Sequence, residues 1–275
     1  QRYNTLISDG ADVAVETNWI NLAKAEKAGL PTDLLPLSGG YFIALNTRRE
    51  PFNDIRARQA VAAALDIDAL NLAAYNGTGT PVDTLFSKAS PFYSDTPLRK
   101  ADKATAQRLF DELAAEGKPV SFAVSTAPTS ESRTTAENIQ AQLGTFKNVS
   151  VQVKIIEVAD IVSLRTTHDF DATTSSAFFQ DPEPRLWTAF SGDSPANLSG
   201  IADKALNDAL LAGRTGASEQ DREKAYDAAQ ARLTEAMPAI FLTRSAPAVI
   251  TGKNVGGIVQ YGTGSLLPED LWIAK

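Results

Sequence analysis

The side chains that could carry chemistry are few, and most of the reactive combinations are missing. The chain has one histidine and no cysteine, so disulfides, thiolate metal sites and a cysteine nucleophile are excluded together. That histidine, His168, lies in Thr166-Thr167-His168-Asp169. A catalytic triad would need it beside a serine nucleophile and an orienting carboxylate. The sequence has no G-x-S-x-G elbow, and Asp169 is the immediate neighbour of His168, a poor spacing for a triad. A single histidine without cysteine is also an incomplete metal-ligand set, so His168 is read as a surface loop residue, and no cofactor or metal is expected. Gly77-Thr78-Gly79 and Gly262-Thr263-Gly264-Ser265 continue into neither G-x-G-x-x-G nor G-K-[ST], and are read as turns instead of phosphate loops. Asn148-Val149-Ser150 and Asn197-Leu198-Ser199 match glycosylation triplets, which arise readily by chance. What remains is a stretch suited to non-covalent binding: Thr174 to Trp187, TSSAFFQDPEPRLW. It combines aromatic surface (Phe178, Phe179, Trp187) with neutral hydrogen-bonding groups (Ser175, Ser176, Gln180) and one carboxylate, Asp181. Each phenylalanine can equally be read as strand core, because aromatics in strands mostly pack inward.

The elements that must position this stretch follow from periodicity. Tyr41 to Leu45 is an apolar run short enough for a buried strand, followed by the Pro51 turn. Asn53 and Asp54 offer cap chemistry for a helix from about Ile55 to Leu65, and a further helix starts at Asp66 or Asp68. Gly39-Gly40 is expected to break the chain before the Tyr41 strand. Tyr75 to Arg99 is rich in Gly, Pro, Thr and Ser and reads as a long loop. Helix is predicted for Asp102–Glu116 and Ser130–Leu143, and strand for Val120–Ser125, Val149–Val158 and Phe170–Phe179. A short helical piece spans Ile161–Arg165. Helices over Asp203–Gly213 and Ser218–Met237 precede a buried strand, Ala239–Thr243. At the N-terminal end, Tyr3–Ser8 reads as a helix end, Ala11–Val15 as a strand and Asn18–Ala28 as a helix. This alternation argues an α/β fold with helices on a mostly parallel or mixed sheet.

Composition bounds the function. A chain of 275 residues with 43% hydrophobic and 21% charged residues can bury a sizeable core as one large domain or two modest ones. The net charge of −7 and the absence of a basic cluster disfavour nucleic acid. No apolar run reaches membrane-spanning length.

The central stretch carries a resemblance. Asn46, Pro51-Phe52, Asp54, Arg56, Arg58-Gln59-Ala60 and Asp66 closely resemble the signature of family 5 extracellular solute-binding proteins, the oligopeptide- and dipeptide-type receptors of ABC importers. Ser8-Asp9-Gly10-Ala11-Asp12-Val13-Ala14 and the DKATAQRLFDELAAEG pattern of 102–117 resemble the family as well. Family members are about twice this length, with the signature near the middle, so the resemblance implies a C-terminal half. The opening QRYNTLISDG has no charged region followed by an apolar one, and the same reading accounts for that. The implied layout is a lobe I remnant over 1–40, lobe II with its mixed sheet flanked by helices over 41–245, and a hinge recrossing with a second lobe I remnant over 246–275.

The resemblance also implies that the end of the strand before Asp181-Pro182 faces a cleft between lobes, where open α/β sheets bind ligands at strand carboxyl ends. Peptide-binding members place an acidic residue four positions before that proline, to hold the ligand's α-amine, and a tryptophan three positions earlier. Here Phe178 and Ser175 stand in those places, and Ala44 stands where some members carry a second acidic residue. Burying an ammonium without a carboxylate partner is costly, which argues against a free N-terminus as the bound group unless Asp181 holds it. Tyr41, Phe42, Phe178, Phe179 and Trp187 are expected to form an apolar wall, with Ser175, Ser176 and Gln180 as neutral partners. Such a site suits sugars, amphipathic small molecules or capped peptides. Arg56 and Arg58 are expected to form salt bridges near the hinge. The implied partners are a small solute or peptide and an ABC permease, with the protein monomeric and periplasmic or cell-surface, with or without a lipid anchor. The rival readings are a receptor-like sensory or chaperone module without transport, and a hydrolase.

Overall fold

The computed structural model describes residues 2–157 and 159–274. In chain order the first part comprises α1 (Arg2–Ile7), β1 (Val13–Glu16), α2 (Trp19–Lys27), β2 (Thr32–Leu34) and β3 (Ser38–Leu45). Three helices follow: α3 (Ile55–Ala64), α4 (Ile67–Tyr75) and α5 (Lys103–Ala115). The chain then alternates through β4 (Val120–Thr126), α6 (Ser130–Leu143), β5 (Val149–Ile155), α7 (Asp160–Thr167) and β6 (Ala172–Phe179). It continues with α8 (Arg185–Phe190), α9 (Lys204–Thr215), α10 (Glu219–Ala236), β7 (Ala239–Thr243) and β8 (Ala248–Thr251). Short ribbons complete the C-terminal part. The strand predicted over Val149–Val158 ends at Ile155, and Val158 lies outside the described residues.

The helix starts are where cap chemistry places them. Asp54, Asp66, Asp102, Asp203 and Ser218 each accept a backbone N–H of the first turn that they precede, satisfying donors that no preceding carbonyl can reach. Helix α8 and strand β2 have weaker signals, being six and three residues long, too short for a periodic pattern.

The main sheet has the order β5-β4-β6-β3-β7. β4 is parallel to β5 and β6, whereas β3 is antiparallel to both β6 and β7, so the sheet is mixed. Period two sorts the β3 side chains onto two buried faces. Ile43 and Leu45 join a core beneath α3, α4, α5 and α6, while Phe42 and Ala44 join a second core beneath α8, α9, α10 and the 82–98 loop. The architecture is α/β with helices on both faces.

Gly39 and Gly40 do not break the chain before this strand: β3 begins at Ser38 and carries both. A Cβ on Gly39 would stand 2.0 Å from the Ala177 carbonyl oxygen, and one on Gly40 2.5 Å from that of Thr243. The glycines therefore let β3 lie against two strands at once, with φ of 68° at Gly39.

A smaller antiparallel sheet of order β1-β8-β2 packs with α1 and α2 around Leu6, Ala14, Leu22, Ala25, Ala246, Ala248 and Ile250. The chain runs between the two sheets twice, through 35–37 and 244–247. These crossings are tied by the Leu35 amide donating to the Pro247 carbonyl at 2.9 Å and the Trp19 indole donating to the Arg244 carbonyl at 3.0 Å. The Arg244 guanidinium in turn donates to the carbonyls of Gly39, Thr84, Leu85 and Phe86. It clamps the 84–86 turn to the first residues of β3.

Arg56 forms the expected ion pairs, with Asp54 at 2.7 Å and Glu116 at 2.6 Å. Arg58 departs from the expectation. It is buried and donates to the carbonyls of Ala236 at 2.8 Å and Phe52 at 2.6 Å, so it satisfies backbone acceptors instead of a carboxylate. The groups that these arginines touch belong to neither crossing segment.

Candidate ligand-binding site

The main sheet has an opening beside β6. β6 pairs with β3 along its full length, from Ser38↔Phe179 to Leu45↔Ala172. On its other side it pairs with β4 only at Val124↔Ala172 and Ser125↔Thr173. The reason is local: β4 ends at Thr126, Pro128 turns the chain, and Thr129 caps α6 by accepting the Ser132 amide at 3.1 Å. Among the described residues, no strand pairs with the backbone of Thr174–Phe179 on that side, and β4 reaches Thr174 only through the Thr126 hydroxyl, 3.1 Å from that of Thr174. A bare strand edge presents main-chain N–H and C=O groups in extended register.

The first turn of α6 lies beside this edge, and between them is a cavity of about 180 Å³. It is lined by Tyr41, Phe42, Tyr75, Glu131, Ser132, Thr135, Thr174, Ser175, Ser176 and Leu242. The Tyr75 hydroxyl donates to Glu131 Oε1 at 2.8 Å. Burial, reinforced by the Glu131 charge, pushes both the Tyr75 and Tyr41 phenols above their ordinary range. Both remain protonated at neutral pH. The cavity thus offers phenolic and aliphatic hydroxyls, one carboxylate and a strand edge: a hydrogen-bonding site without a fixed cation. Ser175 and Ser176 also border a larger groove of about 780 Å³ between α7 and α8.

The residues singled out from sequence separate into groups. Tyr41, Phe42, Ser175 and Ser176 meet at the 180 Å³ cavity. Tyr41 is 36% exposed, with its ring centroid 6.1 Å from that of half-buried Phe178. Phe42 is only 4% exposed and packs on Phe190 and Phe241, so it shows an edge at most. Phe179, at 1% exposure, stacks on Phe86 within the core. Ala44 is wholly buried in the same core. Gln180 and Asp181 border a separate open groove at the start of α10. Arg222 holds the Asp181 carboxylate there through both oxygens, at 2.8 and 2.9 Å, so Asp181 is already committed to a cation. Trp187 lies beneath the Arg214 guanidinium, 5.3 Å from its ring centroid. The apolar wall expected from sequence is not one continuous surface.

His168 lies just past the last residue of α7, outside the helix as expected, but is not fully at the surface. It ends α7 in the left-handed conformation, is half-buried, and is depressed below its ordinary pKa by burial and then by the Arg48 charge. Among the described residues no group of three metal-ligating side chains converges, and no helix is long and apolar enough to cross a membrane. Tyr75, Glu131, Ser132 and Thr135 escaped the sequence reading. For the last three the signal was the strand–turn–capped-helix pattern of 120–143, because strand carboxyl ends and the helices that follow them are where open α/β sheets place ligands; Tyr75, at the end of α4, had no such signal.

Three comparisons bear on this geometry. The family model described as "Bacterial extracellular solute-binding proteins, family 5 Middle" matches residues 1–197. The dipeptide-binding protein of Escherichia coli is 26% identical over 273 residues, covering 94% of this chain and 50% of that protein. A probable di/tripeptide-binding protein of Pseudomonas aeruginosa is 23% identical, covering 89% of this chain and 48% of that one. The chain therefore spans about half the length of the curated relatives it matches. Among solved structures, HbpA2 of Haemophilus parasuis superposes with a TM-score of 0.83 at 26% identity, over 100% of this chain and 56% of that one. NikA of Brucella suis, in complex with Fe(III)-EDTA, superposes at 0.82 with 23% identity over 99% and 59%. The shared architecture is that of one part of a periplasmic binding protein. The matched relatives are solute-binding proteins, not enzymes. The chain belongs to the family 5 bacterial extracellular solute-binding proteins.

Proposed function

We propose that the chain is the ligand-holding lobe of an ABC-importer receptor that captures an extended, peptide-like solute outside the cytoplasmic membrane and presents it to a permease. The observation that carries this reading is the bare edge of β6 over Thr174–Phe179, beside the cavity at the start of α6. An extended backbone laid on such an edge gains main-chain hydrogen bonds whatever its side chains are, and flanking cavities then sort those side chains. Residues 1–40 and 246–275 are read as belonging to a second lobe, joined through the crossings at 35–37 and 244–247. Capture would work by closure about these crossings, with ligand free energy selecting the closed state. The protein acts as a monomer in the periplasm or at the cell surface and performs no catalysis. Phe178 and Ala44 stand in place of ammonium-binding carboxylates, and Arg222 already occupies Asp181. These substitutions favour a ligand without a free N-terminal amine at those positions, which leaves Glu131 as the one carboxylate bordering the α6 cavity. A sensory role without transport would share this site and differ only in its partner, so genomic neighbours encoding permease and ATPase subunits discriminate the two.

The test is mass spectrometry of what co-purifies with the protein at its relatives' full length, released by denaturation. Recovery of capped peptides or peptide-like amides supports the reading. Recovery of peptides with free N-termini refutes the assignment at Phe178, and recovery of solutes without an amide backbone refutes the strand-edge mode.

A further inference from the structure

We infer that the ligand carries an anionic group, and that this group is seated on Arg165 and Arg185 in the groove between α7 and α8. The inference rests on the reading of β6 as the ligand edge and adds the sign of the ligand's charge. The groove, about 780 Å³, borders β6 at Ser175 and Ser176, the two residues that also border the cavity at the start of α6. A ligand on the edge therefore reaches both spaces. The floor of the groove is apolar, made by Phe42, Ala177, Phe190 and Leu198. Its polar lining is one-sided. Arg165 comes from α7 and Arg185 from the first position of α8, and the hydroxyls of Thr188, Ser175 and Ser176 line the same groove; those of Thr166 and Ser199 donate to the Val162 carbonyl and to Asn197 Oδ1. No aspartate or glutamate lines it.

Two facts make that composition informative. First, acidic residues outnumber basic ones by 33 to 26 in this chain, so a groove of this size with two arginines and no carboxylate runs against the bulk of the molecule. Second, most arginines here are engaged: Arg48, Arg58, Arg99 and Arg244 donate to carbonyls, while Arg49, Arg56, Arg108, Arg214, Arg222 and Arg232 pair with carboxylates. Arg165 and Arg185, like the exposed Arg133 on α6, have neither kind of partner among the described residues. His168, at the same groove, has a buried Nδ1 without a partner. Unpaired guanidinium donors above an apolar floor and beside hydroxyls fit a carboxylate, sulfonate or phosphate carried on an apolar body. They disfavour a cation.

A matched pair of fluorescent probes tests this on the full chain: anionic 1-anilinonaphthalene-8-sulfonate and neutral N-phenyl-1-naphthylamine, titrated against the wild type and the double variant R165Q/R185Q. Both arginines are exposed and unpartnered, so the variant should fold normally, which circular dichroism checks. The expected result is saturable sulfonate binding that weakens by about tenfold or more in the variant, the scale of one or two charge-assisted hydrogen bonds, with neutral-probe binding unchanged. Three results overturn the inference: sulfonate binding that is not saturable, binding unaffected by the substitutions, or an equal loss for both probes. A capped peptide such as N-acetyl-trialanine amide, followed by amide exchange at Thr174–Phe179, reports separately on the edge. Edge protection with failed sulfonate discrimination removes only the anion seat, whereas loss of both removes the edge reading too.

Discussion

At the scale of single residues, buried charges behave differently according to what satisfies them. Arg58 carries its charge into the core, where burial lowers its pKa, and offsets that cost by donating to the Phe52 and Ala236 carbonyls. Arg58→Ala would leave both acceptors unsatisfied and a cavity behind. It should destabilise the protein by about 2–4 kcal/mol, read as a lower urea midpoint with an unchanged slope. Glu183 is the opposite case. Both carboxylate oxygens are buried without a hydrogen bond, and Arg214 stands 3.7 Å away. Burial pushes this carboxyl above its ordinary value of 4.5, with Asp181 adding to the rise and Arg214, Arg222 and Tyr226 opposing it. The native state then holds this proton more tightly than the unfolded chain does. The associated stability is present below about pH 4.5 and is lost as pH rises through the higher native pKa. Wild-type stability relative to Glu183→Gln should therefore improve on acidification from pH 7 to pH 5, measured by paired urea melts. A constant difference across that range would show that Glu183 titrates normally.

At the scale of elements, the glycines at the start of β3 decide whether that strand can lie between β6 and β7 in the main sheet. Gly39 has φ of 68° and no room for a Cβ, whereas Gly29 has φ of 70° with nothing within 4 Å. The comparison separates backbone strain from collision. Gly29→Ala should cost about 1 kcal/mol, the price of a left-handed alanine alone. Gly39→Ala should cost several times more, on the order of 3 kcal/mol or above, because Ala177 on the paired strand must also move. It should also disturb the β6 edge, so amide exchange at Thr174–Phe179 would quicken in that variant and stay unchanged in Gly29→Ala. Equal costs would mean that the β3–β6 contact relaxes freely. The same pairing explains why β6 can be both core and candidate site: Phe179 and Ala177 are buried beside β3, while among the described residues no strand pairs with the far edge beyond Thr173.

At the scale of the whole molecule, two sheets with separate cores are joined at a narrow waist. Trp19 packs against both cores and donates its indole N–H to the Arg244 carbonyl. Trp19→Phe removes that donor and part of the shared contact, at about 1–2 kcal/mol. Because the cores are distinct, the effect should be local: amides of β1 and β8 exchange faster, while those of β4 and β6 stay near their original rates. Uniform acceleration would show that the two sheets open as one unit.

How much of this was legible in the sequence depended on the range of the interactions involved. Helix starts at Asp54, Asp66, Asp102, Asp203 and Ser218 were legible because a cap is a contact two or three residues long. The α/β alternation and the family signature of 46–66 were legible for the same reason: each is a local pattern in chain order. Strand register was not, and neither was the place of Gly39-Gly40 inside β3, since that depends on Ala177 and Thr243 arriving from far along the chain. Distance in sequence also hid Tyr75, Glu131 and Thr135 from the site. It concealed that Asp181 is taken by Arg222, 41 residues away, and that Phe179 points into the core while Ser176 does not. The kind of fold was thus a property of composition and short-range spacing. Which of the residues in TSSAFFQDPEPRLW border the open edge and its cavity was decided only in three dimensions, because the end of β4 at Thr126, and not anything within β6, leaves that edge unpaired.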